Sequence, residues 1–385
     1  MNTRPPLETS RLPRVLSVTF NDDCSCFAVG LETGFSVFNT ETCTRRTVRE
    51  FNAGIGLVQM MGKANYLGLV GGGRNPKYSG TKLVVWDEVK SKEALEITAL
   101  SVVRGALLSK ERIVLVLQNS VRIFKFAKQP NLLHAYETAN NLNGICAMSA
   151  RRIAFPGRTA GHVQIVELAT NNVSIIPAHS SSVRAIQFSP DGELIATASD
   201  TGTLIRVWNA SNCARVAELR RGVDHARIFS LAFSPSGTML ACTSDKATLH
   251  VFDVPHPRKP AARQHTATNG GPAATDSNDG KGKWGVLSKL PLMPRVFSDT
   301  YSFASAPFEA GDEPLQAQGT PVAPEAMTLG TSRPTKGLLG WLTESTLVVI
   351  GAGKDARWEK FVIHEGSDGR RNVTREGWRR YLGDL

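Results

Sequence analysis

FSPDGELIATASDTGTLIRVW, Phe188–Trp208, and FSPSGTMLACTSDKATLHVF, Phe233–Phe252, are consecutive copies of one unit. Each opens on an apolar residue, crosses a polar turn and continues as strand, turn, strand. β-Branched and aromatic residues fill the runs, while Pro, Asp, Gly and Ser fill the gaps, the pattern of short strands joined by tight turns. The copies start 45 residues apart, and a four-stranded propeller blade takes about 40–45 residues.

The unit recurs outward from this pair. FNDDCSCFAVGLETGFSVF from Phe20 follows the same plan, and weaker copies at Gly71 to Trp86, Arg112 to Phe126 and Arg152 to Leu168 bring the number to six. A seventh is assembled from GLLGWL, STLVVIGAG, RWEKFVIHE and NVTREGWRRYL between Gly337 and Leu382. Almost no segment sustains a helical period. The expected fold is therefore all-β: one seven-bladed β-propeller over residues 14–382, WD40-like, with four-stranded antiparallel blades whose faces bury one another and leave few long open edges. Two stacked sandwiches would leave the 45-residue period unexplained.

Two stretches interrupt the repeat. Residues 255–283, PHPRKPAARQHTATNGGPAATDSNDGKGK, are rich in Pro, Gly, Ala and polar residues and predict a disordered loop within blade 6. The chain then turns apolar and basic over 284–295, where Trp284, Val286, Leu287, Leu290, Leu292 and Met293 are interspersed with Lys289 and Arg295. That segment is a candidate membrane contact; an ordinary return strand packed on the propeller is the other reading. Residues 311–336, again Pro/Gly-rich, predict a flexible linker between blades 6 and 7.

The 385 residues carry 45 Lys+Arg against 34 Asp+Glu, a formal charge of +11, which favours an anionic partner without choosing among lipid head groups, nucleic acid and acidic proteins. Nucleic acid is disfavoured, because no basic stretch is interleaved with stacking aromatics. An enzyme is disfavoured too: GxSxG, HExxH and clustered metal ligands are absent, so no catalytic residue, metal or cofactor is expected. In the glycine-rich loop Gly71 to Lys82, Gly80-Thr81-Lys82 reverses the order a phosphate-binding GK[ST] requires. Six scattered cysteines without CxxC spacing suit reduced thiols in the cytosol. No run approaches the ~20 apolar residues of a membrane span.

Between the two best copies lies Leu219-Arg220-Arg221-Gly222. If this stretch is extended, neighbouring side chains leave on opposite sides, so the two guanidiniums serve two different pockets. Each offers a planar fork suited to phosphate oxygens. A solvated surface pair is the plainer alternative.

With LRRG between SDTGTLIRVW and SDKATLHVF, and with FNDDCSCFAVG, GLVGGGRNPKYSGTKLVVWD and FPGRTAGHVQIV elsewhere, the chain from Arg14 to Tyr381 closely resembles the PROPPIN family, the phosphoinositide-binding seven-bladed propellers of autophagy (the WIPI group). Leu rather than Phe before RRG, together with the GGGxxPKY loop in blade two, resembles the branch of the smaller human WIPI proteins and their fungal relatives.

The resemblance implies two lipid sites flanking the arginines. The first would use His179, Ser199, Thr201, Thr203, Arg206 and Arg220; the second Arg221, Thr243, Ser244, Lys246, Thr248 and His250. Alternate spacing puts such hydroxyls on one side wherever the backbone is extended, and hydroxyl, guanidinium and ammonium donors suit phosphate and ring hydroxyls. Ser and Thr here are equally suited to capping turns, His179 to a structural blade histidine, and His250 to a half-buried strand position. Ala247 stands where the family has Gly, and its β-carbon restricts φ > 0, so a slight reshaping of the second site is expected.

By the same resemblance, Asn75, Pro76 and Lys77 look like the surface that meets the lipid-transfer protein of autophagy, and 284–295 like the family's membrane-inserting loop. The implied function is a non-enzymatic effector of phosphatidylinositol 3-phosphate and phosphatidylinositol 3,5-bisphosphate, monomeric in solution. It would be cytoplasmic and peripheral on preautophagosomal, endosomal and vacuolar membranes, recruiting autophagy proteins. A WD40-like protein-interaction scaffold without lipid recognition is the alternative.

Overall fold

In the computed structural model, which describes residues 14–255, 300–309, 337–353 and 356–383, seven antiparallel sheets follow one another along the chain. Blade 1 opens with Val15–Phe20, blade 2 with Ile55–Met60, blade 3 with Val103–Leu108 and blade 4 with the two-residue strand Ala147–Met148. Blade 5 comprises Val183–Phe188, Leu194–Ser199, Leu204–Asn209 and Arg215–Arg220. Blade 6 comprises Ile228–Phe233, Met239–Ser244 and Thr248–Asp253, completed across a long excursion by Ala304–Pro307. Blade 7 comprises Leu338–Trp341, Thr346–Ile350, Arg357–Glu365 and Arg371–Arg380, close to the four runs expected from sequence. The expected seven-bladed, four-stranded propeller is the observed fold.

Burial follows from stacking blades face to face. The second strands Leu194–Ser199 and Met239–Ser244 are buried at every position, because both their faces meet a neighbouring blade, so they carry only apolar and small residues. Outer strands such as Arg45–Glu50 are exposed and charged. The core is divided into clusters between adjacent blades. One joins Ala196, Ala198, Ile205, Val207 and Leu219 of blade 5 to Leu231, Leu240, Cys242 and Phe252 of blade 6. Another joins Ala241, Leu249 and Val251 of blade 6 to Leu339, Trp341, Leu347 and Phe361 of blade 7.

Among the described residues, the four main strands of each blade follow one another in sequence, and blade 7 meets blade 1 through side-chain packing and a few hydrogen bonds. Val15 donates its N–H to Gly353 O at 3.2 Å, Trp358 Nε1 donates to Thr40 O at 2.7 Å, and Phe27 and Phe38 pack edge-on against Tyr381.

One sheet exceeds four strands. Thr300–Tyr301 lies parallel to the outer strand of blade 5, with Leu219 opposite Thr300 and Arg220 opposite Tyr301. Residues 256–283, the segment from Trp284 to Met293 and the linker 311–336 lie outside the described residues.

Candidate functional site

The clusters define which face each side chain of blades 5 and 6 occupies. In blade 5, Ile205, Val207 and Leu219 pack toward blade 6, whereas Ile195 and Trp208 pack toward blade 4. Strand alternation therefore puts Thr197, Ser199, Arg206, Glu218 and Arg220 on the blade 4 side. In blade 6, Ala241, Leu249 and Val251 pack toward blade 7, whereas Leu240, Cys242 and Phe252 pack toward blade 5. Ser244, Thr248 and His250 accordingly face blade 5.

On the blade 4 side, Ser199 Oγ and Thr201 Oγ1 stand 2.8 Å apart. They do not meet by alternation along an extended strand, as the sequence suggested. The chain turns between them, with Gly202 N donating to Ser199 O at 3.0 Å, and the turn brings the hydroxyls together. Arg206 points to the same side but is already engaged. Its Nε meets Glu218 Oε2 at 2.7 Å and its Nη1 donates to Ala178 O at 2.6 Å, leaving Nη2 as the edge able to reach a ligand. His179 Nε2 lies 3.0 Å from Thr197 Oγ1, which also accepts Trp208 Nε1–H at 3.0 Å. That bond fits the structural-histidine reading and leaves Nδ1 as its remaining polar edge.

Burial, with the Arg206 charge beside it, pushes His179 down to about 4. It is therefore neutral at pH 7 and offers a hydrogen bond rather than a charge. A folded-state value below the unfolded one means that the unfolded chain takes up the proton first on acidification. Stability is then lost as pH falls from about 6.5 through about 4, by up to about 3 kcal/mol at roughly 1.4 kcal/mol per unit. His250 is shifted the same way, first by burial and then by the Arg221 charge. Urea midpoints are expected to drop between pH 7 and 4.5, and His179→Gln, which retains a hydrogen-bonding side chain, to flatten part of that drop.

Arg221 occupies a position whose meaning comes from the repeat. In five blades the first residue past the outer strand donates its N–H to the carbonyl just before the third strand: Phe51 to Thr33, Ala99 to Thr81, Thr138 to Asn119, Arg221 to Thr203 and Phe308 to Ala247, at 2.8–3.0 Å. That residue fills a slot between blades. Blades 1 and 6 fill it with phenylalanine; blade 5 fills it with a guanidinium only 8% exposed. Arg221 Nε donates to Gly202 O at 3.0 Å and Nη2 donates to Asp224 O. Both partners are carbonyls, and among the described residues no carboxylate pairs with it. Its charge lowers the His250 pKa, after burial, and opposes the upward shift of the Cys242 thiol. A buried cation without a counter-charge is costly to maintain, and an anion entering here would relieve that cost.

His250 Nδ1 lies 3.1 Å from Ser302 Oγ, Lys246 is exposed at the turn, and Ser244 is buried beneath it. Thr243 requires a correction. It neighbours Ser244 and so faces the other way: fully buried, it donates its hydroxyl to Gly337 O of blade 7 at 2.6 Å and is not part of this recess. Ala247 adopts φ 55°, and its N donates to Ser244 O at 3.1 Å, so the turn keeps the left-handed form of Gly202, φ 60°, despite its β-carbon.

The loop of Asn75, Pro76 and Lys77 is exposed and fastened to the linker before blade 2. Gly54 N donates to Asn75 O at 2.6 Å, Lys77 N donates to Gly54 O at 2.9 Å, and Lys77 Nζ sits 5.4 Å from the Phe51 ring centroid.

Sequence reasoning missed the slot and the Arg206–Glu218 pair. Aligning the linker residues Phe51 and Phe308 with Arg221 would have exposed the first. The hairpin register, which sets Arg206 opposite Glu218, would have exposed the second.

These features define a seven-bladed propeller with adjacent arginines, Arg220 and Arg221, at the outer edge of blade 5. A family model described as PROPPIN matches residues 15–269. The Neurospora crassa protein SVP1-like protein 2 is 51% identical over 100% of both chains, and its Emericella nidulans namesake is 52% identical over 84% of this chain and 99% of the other. Among solved structures, Kluyvelomyces marxianus Hsv2 superposes with a TM-score of 0.72 at 20% identity, covering 96% of this chain and 99% of that one. An Atg21, solved in complex with the coiled-coil of Atg16, superposes at 0.62 with 18% identity, covering 95% and 99%. The chain belongs to the PROPPIN family, phosphoinositide-binding β-propellers of autophagy that form a lipid-binding scaffold class rather than an enzyme family.

Proposed function

We propose that this protein binds phosphatidylinositol 3-phosphate and phosphatidylinositol 3,5-bisphosphate at two rim sites. The first comprises Arg220, Arg206, Ser199, Thr201, Thr203 and His179; the second comprises Arg221, Lys246, Ser244, Thr248 and His250. The observation that carries this reading is Arg221, a guanidinium in a slot that blades 1 and 6 fill with phenylalanine, satisfied by two carbonyls. Such a cation is poised for a phosphate. Arg220 stands across the sheet from Leu204, on the face that carries Arg206, which supports assigning the two arginines to separate sites.

A charged hydrogen bond nets roughly 1.5–3 kcal/mol, so one shallow site holds a head group moderately. Two sites engaging one bilayer raise avidity by ~10²–10⁴. No helix among the described residues is long and apolar enough to cross a membrane, which fits peripheral docking on preautophagosomal, endosomal or vacuolar surfaces. The apolar-basic segment 284–295 would add a membrane contact, and the pinned loop at Asn75, Pro76 and Lys77 a surface for the lipid-transfer protein of autophagy.

The test is vesicle flotation with and without 3-phosphoinositide. The parent should float only with the lipid, and Arg220→Thr/Arg221→Thr should lower binding by at least about a hundredfold. Undiminished binding of the double variant would remove the mechanism and favour a scaffold that binds proteins alone.

A further inference from the structure

Beside each of the two arginines stands an exposed apolar side chain that the propeller does not use. Arg220 is opposite Tyr301 in the parallel ladder, and residues directly opposite in neighbouring strands project to the same face. Tyr301 thus shares the blade 4 side with Arg220, Arg206 and the Ser199–Thr201 hydroxyls, and it is 49% exposed. Arg221 is followed by Gly222 and then by Val223, which is 75% exposed.

The loop carrying Val223 is held at both ends. Arg221 Nη2 reaches Asp224 O, and Ala226 N donates to Thr201 O at 3.2 Å, so Val223 projects from a short pinned arch beside the second recess. Neither residue belongs to an inter-blade cluster.

We propose that Tyr301 and Val223 are interfacial anchors, one per head-group site, that enter the bilayer at the glycerol and upper acyl level while the adjacent guanidinium holds the phosphate. This inference rests on the lipid reading above and deepens it. The two cations favour an anionic lipid surface over a protein groove as the occupant, because each apolar side chain lies beside a guanidinium, Tyr301 across the ladder from Arg220 and Val223 two residues after Arg221. A tyrosine suits that depth, with an apolar ring below and a hydroxyl that stays wet. Both anchors lie among the described residues and act independently of 284–295.

The experiment compares two ligands for each variant: phosphatidylcholine vesicles carrying 3-phosphoinositide, and soluble inositol 1,3-bisphosphate. The variants are Val223→Thr, Tyr301→Thr, the pair together, and Tyr301→Trp, with urea midpoints as the folding check. The paired variant should bind vesicles about tenfold more weakly while its affinity for the soluble head group stays at the parental value, and Tyr301→Trp should bind vesicles more tightly. Parental vesicle binding by the pair would overturn the anchors and leave the head-group sites standing. An equal loss toward both ligands would assign the residues to the pocket wall and overturn the anchors as well. A parent that binds neither ligand would overturn the lipid reading and the anchors together.

Discussion

Replacing Arg221 with methionine is expected to leave a folded propeller that holds one head group instead of two. The slot between blades accepts apolar side chains, since Phe51 and Phe308 make the same backbone hydrogen bond there in blades 1 and 6. Methionine is long, unbranched and adaptable enough to fill the volume. The carbonyls of Gly202 and Asp224 lose their donors, a cost of about 1–3 kcal/mol, while removal of a buried cation with no carboxylate partner offsets it. The net change in stability should stay within about 1 kcal/mol of the parent. Arg221→Thr, by contrast, leaves both carbonyls unpaired beside a cavity and should cost about 2–4 kcal/mol. Calorimetry with soluble head group should then count one site in the methionine variant against two in the parent. Vesicle affinity should fall by about a hundredfold as bivalent attachment is lost. Two sites remaining in a folded methionine variant would show that Arg221 is structural and that the second head group is held without it.

How far the sequence could be read depended on how local each feature is. The repeat was legible because a blade is specified over a few tens of residues: turn chemistry at Ser189-Pro190-Asp191-Gly192 and Ser234-Pro235-Ser236-Gly237 fixes where strands begin, and the doubly buried runs fix which strands are central. Blade 4, whose inner strand is only Ala147–Met148, gave a correspondingly faint copy. Thr300–Tyr301 was not legible, since two residues pairing with a strand 81 positions earlier leave no periodic signal.

Opposite sides for the two arginines were expected if the stretch is extended; Arg220 ends the outer strand on the face toward blade 4, while Arg221, just past it, turns its guanidinium onto the Gly202 and Asp224 carbonyls. The hydroxyl ladder was read less well. Alternation holds only in extended chain, and residues 200–203 and 245–247 are turns, so Ser199 and Thr201 meet across a turn; Thr243, inside the extended strand Met239–Ser244, faces away from Ser244 by that same alternation. Sidedness around a turn depends on its type, which residue spacing does not reveal.

That turn also sets a large stability effect for a single methyl group. Gly202 has φ +60°, and a β-carbon added there would stand 1.7 Å from Ala226 O, a backbone atom whose own N–H is tied to Thr201 O. The linker cannot retreat without releasing Ala226, and the Gly202 carbonyl cannot move without releasing Arg221 Nε. Gly202→Ala should therefore open the junction of blades 5 and 6 and cost about 3–5 kcal/mol, in the range reserved for backbone clashes and broken buried networks. Left-handed strain alone accounts for only about 1–2 kcal/mol of that. The matching turn separates the two terms. Ala247 already carries its β-carbon at φ 55°, so Ala247→Gly relieves left-handed strain and should stabilise by up to about 1 kcal/mol. Urea unfolding of both variants measures the difference. Equal and small shifts would mean that the approach of Ala226 to Gly202 is not rigid, and Arg221 would then lose the fixed carbonyl that aims it.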